Sequence, residues 1–248
     1  MVDSLGYRAK FAVLAPSTNT VVQPEFDEMR PRGVTNHFGR IHIPNMAVKT
    51  DADFLKLMDG IKAALMDAVD VVMTCEPDYV VMGMSSETFW DGLEGSLLLQ
   101  ERLEKRSGKR VAMASDASQA ALKTYGGVKR IAVITPYMPV GDEQVRRFFT
   151  DTGFEVKRIL GFKCESPTAI AHVSTAQLRT AIREIDGPDV DAIIQVGTNL
   201  AMARLAAEAE TWLNKPVLAI NTATYWYALR QNGFADKIAG FGRLLEEF

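Results

Sequence analysis

The sequence predicts an α/β fold of the doubly wound kind, built as two pseudo-symmetric halves with a four-stranded parallel sheet in each, and three observations carry that prediction. Short β-rich runs alternate with longer stretches of helical spacing along all 248 residues. The runs are continuous in Val, Ile, Ala and Met, as expected of parallel strands covered on both faces by crossover helices, and do not alternate as half-exposed antiparallel strands do. The plan also occurs twice: Ala12-Val13-Leu14-Ala15-Pro16 opens one pass and Ala132-Val133-Ile134-Thr135-Pro136 opens the next, each proline ending its strand at the same point.

In chain order, strands are expected at Phe11 to Ala15, Arg40 to Ile43, Tyr79 to Met82 and Val111 to Ala114, then at Ile131 to Thr135, Val156 to Leu160, Ala192 to Val196 and Val217 to Ile220. Val80-Val81-Met82-Gly83-Met84-Ser85 and Ile193-Ile194-Gln195-Val196-Gly197-Thr198 sit late in their passes and read as equivalent third strands. Tyr125-Gly126-Gly127-Val128 offers a glycine helix stop followed by a new strand, so the halves divide as 1–127 and 128–248. The C-terminal helix is expected to cross back onto the first half. Such halves are flavodoxin-like in pattern.

Composition narrows the function classes. With 47% hydrophobic residues the chain has ample material for a packed core. Its 28 Lys+Arg against 31 Asp+Glu are spread without a basic run that could track phosphates, so nucleic acid is not an expected partner. The apolar run from Ala64 to Met73 is broken by Asp67 and Asp70, short of the roughly 20 residues that span a bilayer, and residues 1–10 lack the apolar stretch of a signal peptide. A cytoplasmic protein without a membrane partner is expected. Two cysteines, Cys75 and Cys164, give neither a disulfide framework nor metal-ligand spacing, and the scattered His37, His42 and His172 suggest no zinc site, so no metal is expected.

In open parallel sheets ligands bind beyond the carboxyl ends of the strands, which selects four loops and a site in the cleft between the halves. Pro16-Ser17-Thr18-Asn19-Thr20 carries hydroxyls and an amide that suit a carboxylate, and equally suits a helix N-cap. In the next loop Gly83 permits close backbone approach, Met84 follows, and Ser85 and Ser86 can donate to an anion. Glu87 reads either as a general base raised by desolvation or as a carboxylate at a helix start. Tyr137 is a proton donor to a developing enolate or a packing tyrosine with a wet tip. Gly197-Thr198-Asn199 offers small donor-rich groups facing Gly83-Met84-Ser85 across the two halves. Cys164 beside Lys163 reads as a free buried thiol or as one with a lowered pKa. No Gly-x-Gly-x-x-Gly and no Walker loop occurs, which argues against dinucleotides and nucleoside triphosphates, and no cofactor is expected.

Those loops carry a resemblance. Ala15-Pro16-Ser17-Thr18-Asn19-Thr20 resembles the opening of maleate isomerases, which implies that Asn19 binds a substrate carboxylate. Met82-Gly83-Met84-Ser85 with Phe89-Trp90-Asp91-Gly92 is similar to a stretch of arylmalonate decarboxylase, implying that Gly83, Met84 and Ser85 line a dioxyanion pocket. Pro136-Tyr137, Lys215 to Asn221 with Trp226, and Gly240-Phe241-Gly242-Arg243-Leu244 extend the match over essentially the whole chain. The chain thus resembles the maleate isomerase and arylmalonate decarboxylase branch of the aspartate/glutamate racemase superfamily. That branch works with cysteines, and the two corresponding positions here read Gly83 and Val196.

The resemblance implies an isomerase, lyase or hydrolase that uses no cysteine and acts on a small carboxylate or carbonyl compound through a stabilised oxyanion. Tyr137, Ser85 and Glu87 are its candidate catalytic residues. Ser17, Asn19, Gly83, Met84, Val196, Gly197 and Thr198, with Ser85 and Tyr137, are its candidate substrate contacts. The alternative is a non-catalytic relative that binds a small carboxylate as a sensor or partner subunit. A homo-oligomer stays open.

Overall fold

The computed structural model describes residues 3–248. Its elements run β1 (Ala9–Pro16), α1 (Val22–Glu28), β2 (Val34–Ile41), α2 (Asp51–Met73), β3 (Tyr79–Met82), α3 (Gly92–Ser107), β4 (Val111–Ala112) and α4 (Ala114–Thr124). The second pass runs β5 (Arg130–Thr135), α5 (Pro139–Asp151), β6 (Glu155–Gly161), α6 (Thr175–Ile185), β7 (Ala192–Gln195), α7 (Ala203–Leu213), β8 (Val217–Ala219), α8 (Ile220–Gln231) and α9 (Arg243–Glu247). The strands form two four-stranded sheets, ordered β2-β1-β3-β4 and β6-β5-β7-β8, with every pairing parallel. One winding is therefore used twice, as the repeated strand-proline pattern predicts, and β3 and β7 occupy equivalent places.

The central strands are buried along their middles because those residues are apolar on both faces: Phe11 to Ala15, Val80 to Met82, Ile131 to Ile134 and Ala192 to Ile194 are 1% exposed or less. The second strand differs from its expected place at Arg40 to Ile43 and starts six residues earlier. Its sequence, Val34-Thr35-Asn36-His37-Phe38-Gly39-Arg40-Ile41, is polar and half-buried because β2 is a sheet edge, and edge strands need no continuous apolar run. The fourth and eighth strands are shorter than expected because α4 starts at Ala114 and α8 at Ile220.

The α8 helix leaves the second sheet and packs against α4, α1 and the β3 and β4 strands of the first. Tyr225 extends this contact to β1 and β2: its ring lies 4.9 Å from that of Phe26 and 6.1 Å from that of Phe11, and its hydroxyl donates to Asn36 Oδ1 at 3.0 Å. Beyond it Asp236 pairs with Arg8 just before β1. Gly126 and Gly127, both at φ +70, make the turn out of α4. Among the described residues no helix is long and apolar enough to cross a membrane.

Candidate functional site

The loops after β1, β3, β5 and β7, the two inner strands of each sheet, converge. In the first, Asn19 Oδ1 accepts from the backbone N–H groups of Val21 and Val22, both at 2.9 Å, satisfying donors at the start of α1 that the helix cannot satisfy itself. That geometry turns the Asn19 amide outward, where Nδ2 donates to Thr198 Oγ1 at 3.0 Å. Asn19 is thus a helix cap and a member of the polar site at once. In the second loop Ser85 Oγ lies 2.8 Å from Tyr137 Oη and accepts from the Thr198 N–H at 3.3 Å.

Tyr137 is fixed by the turn after β5, where its N–H donates to Thr135 Oγ1 at 3.2 Å and its ring packs 5.6 Å from that of Phe54 on α2. Gly197 has φ +129, and a Cβ there would lie 2.5 Å from Pro136 Cδ, so the loop after β7 reaches the site only because this residue is glycine. Asn199 braces the same loop, accepting from Thr20 N–H at 3.0 Å and donating to Pro167 O at 3.1 Å. The result is a buried polar patch shared by both halves: Asn19, Ser85, Tyr137 and Thr198 are 3%, 2%, 6% and 4% exposed.

Behind the patch lies a second bridge. Asn221, in the first turn of α8, donates to Thr198 O at 3.0 Å and to Glu25 Oε2 at 2.6 Å, while Glu25 Oε1 accepts from Ala203 N–H at 3.1 Å. Burial pushes the Glu25 carboxyl up to about 7, against the pull of Asn221. Nothing in the sequence marks this role, since a glutamate in a first helical turn is ordinarily a surface residue facing the helix dipole.

The patch floors a cavity of about 70 Å³. Its apolar wall is Phe54, Leu57, Met58 and Ile61 of α2, with Ile43 and Val48 from residues 42–50. Sequence reasoning misses this wall: apolar residues spaced three and four apart on a long helix read as core, and lower down at Leu65 and Val69 they are. Residues 42–50 are tied across the cleft, where Val48 N–H donates to Glu165 O at 2.7 Å and the Thr168 N–H and Oγ1 donate to Asn45 Oδ1 at 3.2 and 3.0 Å.

Of the residues singled out from sequence, Asn19, Met84, Ser85, Tyr137, Gly197 and Thr198 line the cavity together, joined by Ser86 and Cys164. Ser17, Gly83, Glu87 and Val196 do not. Ser17 Oγ is held at the end of β2, accepting from Ile43 N–H at 2.9 Å and donating to Ile43 O. Gly83 is pressed against β1, where a Cβ would meet Val13 Cγ1 at 2.9 Å, and Val196 is fully buried. Glu87 stands in a 3-10 turn, Ser86–Phe89, which packs on α2 and α3, and its carboxyl answers to Lys62 and Arg102 on those helices. Burial raises it to about 7. Burial likewise pushes the Tyr137 phenol up and the Cys164 thiol up to about 11, so both carry their protons at neutral pH.

Comparison with known proteins agrees with this fold. The maleate isomerase of Pseudomonas putida is 24% identical over 246 residues, covering 94% of this chain and 95% of its own. Among solved structures, a mutant of the Nocardia farcinica maleate cis-trans isomerase with a covalently bound succinylcysteine intermediate superposes with a TM-score of 0.87 at 20% identity, covering 96% of this chain and 98% of that one. Arylmalonate decarboxylase superposes with a TM-score of 0.74 at 21% identity, covering 95% and 98%. The family model described as arylmalonate decarboxylase matches residues 56–245, most of the chain. The chain belongs to the arylmalonate decarboxylase family of enzymes.

Proposed function

We propose that this chain is a cysteine-independent enzyme that acts on a small carboxylate or carbonyl compound, by decarboxylation, isomerisation or hydrolysis, through an enolate-like or tetrahedral oxyanion held between its halves. The observation that carries the reading is the contact of Ser85 Oγ with Tyr137 Oη, made across the cleft at 2.8 Å inside the cavity. Two hydroxyls in contact commit only one proton to each other and leave one to give. With the Thr198 hydroxyl and the second N–H of Asn19 Nδ2, that makes three protons converging on one small volume. Preorganised donors in a water-poor cavity stabilise charge that develops on an oxygen, which is often the main source of an enzyme's rate enhancement.

One relative is solved with a covalently bound succinylcysteine intermediate, which a cysteine must supply. Here Gly83 and Val196 stand where the resemblance puts cysteines, and neither supplies one. Cys164 lines the cavity, yet its burial keeps it a thiol and not a thiolate. Tyr137 is the buried O–H best placed to deliver a proton within the cavity, and Glu87 would act only from beyond it.

The test is incubation in D₂O with maleate, substituted malonates, α-aryl acids and cyclic amides, followed by proton NMR, which reads isomerisation, carbon dioxide loss, ring opening and α-proton exchange together. Conversion that falls about 10²-fold or more in Tyr137→Phe and persists in Cys164→Ala is the expected result. Loss of turnover in Cys164→Ala with Tyr137→Phe fully active would overturn it. Saturable binding without turnover of any compound would make the protein a carboxylate-binding relative.

A further inference from the structure

We propose that Glu25 is a positioning residue for the reaction: through Asn221 its carboxylate fixes the place of Thr198, and with it the donors that Thr198 sets into the cavity. The inference rests on the oxyanion reading above and adds to it a residue outside the cavity lining. Glu25 stands on α1, in the first pass, and both of its partners belong to the second.

Its Oε2 accepts from Asn221 Nδ2 at 2.6 Å and its Oε1 from the Ala203 N–H at 3.1 Å, where α7 begins without a side-chain cap of its own. The other Asn221 Nδ2 proton goes to Thr198 O at 3.0 Å, while Asn221 Oδ1 is buried without a partner. Turned over, that amide would set Oδ1 against two acceptors, Glu25 Oε2 and Thr198 O. The orientation that serves Thr198 is therefore held by Glu25, and the orphaned oxygen follows from it.

Thr198 is what this chain of bonds places. Its N–H donates to Ser85 Oγ at 3.3 Å and its hydroxyl accepts from Asn19 Nδ2 at 3.0 Å, so a shift of its carbonyl disturbs both contacts. An ionised carboxyl accepts from both Asn221 and Ala203, whereas a protonated one turns an oxygen into a donor. Burial raises Glu25 to about 7, so the chain of bonds changes state in the neutral range. Glu28, one turn along α1, faces it and is itself paired with Arg204 of α7 at 2.7 Å. From β2 comes Arg40, committed to Pro16 O, Asn19 O and Gln23, and Ile220 to Tyr227 of α8 include no Asp, Glu, His, Lys or Arg.

NMR of the unaltered protein from about pH 5 to about pH 9 would follow the Asn221 side-chain amide and the Thr198 N–H against the carboxyl carbon of Glu25. All three are expected to share one midpoint, and to keep it in Glu87→Gln, since the Glu87 carboxyl titrates in the same range. In the D₂O assay with maleate, phenylmalonate, phenylacetate and succinimide as probes, Glu25→Gln offers an acceptor to only one of the two donors. It should lower kcat about tenfold or more with KM changed less than about threefold, and remove the rise of kcat through that midpoint. Titration of Asn221 with Thr198 unmoved overturns the inference, as does a Glu25→Gln variant that keeps kcat and its pH dependence while Tyr137→Phe loses turnover; either leaves the oxyanion reading in place. No turnover of any probe by the unaltered protein fails that reading and the inference with it. The spectra of the unaltered protein decide the coupling whether or not Glu25→Gln folds.

Discussion

Near neutral pH the Glu87 carboxyl is about half-ionised, because burial raises it from 4.5 to about 7 and one of its oxygens, Oε2, has no hydrogen-bond partner. The sign of its effect on stability follows. Below the unfolded value both states hold the proton and the fold keeps the full benefit of a neutral buried group. As pH rises from about 4.5 to about 7 the unfolded chain ionises first, and the native state loses ground. Glu87→Gln keeps the neutral shape at every pH. It should change stability little at about pH 4 and raise it on the order of 2 kcal/mol at about pH 8, measured by urea midpoints across pH. Equal midpoints at the two ends would show that the carboxyl is well solvated. The sequence leaves Glu87 open between a carboxyl raised by desolvation and one at a helix start; burial raises it, but position decides its use, because it does not line the cavity.

At the scale of elements, turns and short loops do more to define the site than helices do. Gly197 and Gly126 both have positive φ, but a Cβ on Gly197 collides with Pro136 while one on Gly126 meets nothing within 4 Å. Gly126→Ala should therefore cost about 1 kcal/mol of backbone strain alone. Gly197→Ala should cost about 2–4 kcal/mol by adding overpacking, and should also weaken carboxylate binding, since Thr198 moves with it. Denaturant midpoints together with ligand titration separate the two losses. What the sequence discloses at this scale follows the same physics. Central strands are legible because double burial demands Val, Ile and Ala throughout; β2 is displaced because an edge strand can hold Thr35, Asn36 and His37 without penalty. The site loops are legible because strand ends and their polar residues locate them. The α2 wall is not, since one apolar stripe serves both core and cavity and nothing in its spacing marks where the first gives way to the second.

For the whole molecule, the doubled strand-proline pattern is enough to expect two sheets of like topology, which is what the chain forms. A C-terminal helix crossing back is expected from the sequence, but which residue fills the first core is less apparent, because the sequence neighbours of Tyr225 look like any buried helix. Tyr225 comes from the second pass and fills the core of the first, between Phe11 and Phe26. Tyr225→Ala should remove about 3–5 kcal/mol and destabilise both sheets together. Fluorescence of Trp90, in the first half, and of Trp212, on α7 of the second, each read in a single-Trp variant, should report one coincident transition before and after the change. Two separate transitions in the unaltered protein would mean that the halves fold independently.

The hydrogen bonds that tie residues 42–50 to Glu165 and Thr168 over the cavity bear on how long anything stays inside. If those bonds must open for a bound molecule to leave, its departure waits on their rupture and not on the loss of its own contacts. Residence time then becomes a property of the chain: compounds held with quite different strength would escape at one shared rate, and their affinities would diverge in how readily they are captured, the reverse of the usual pattern.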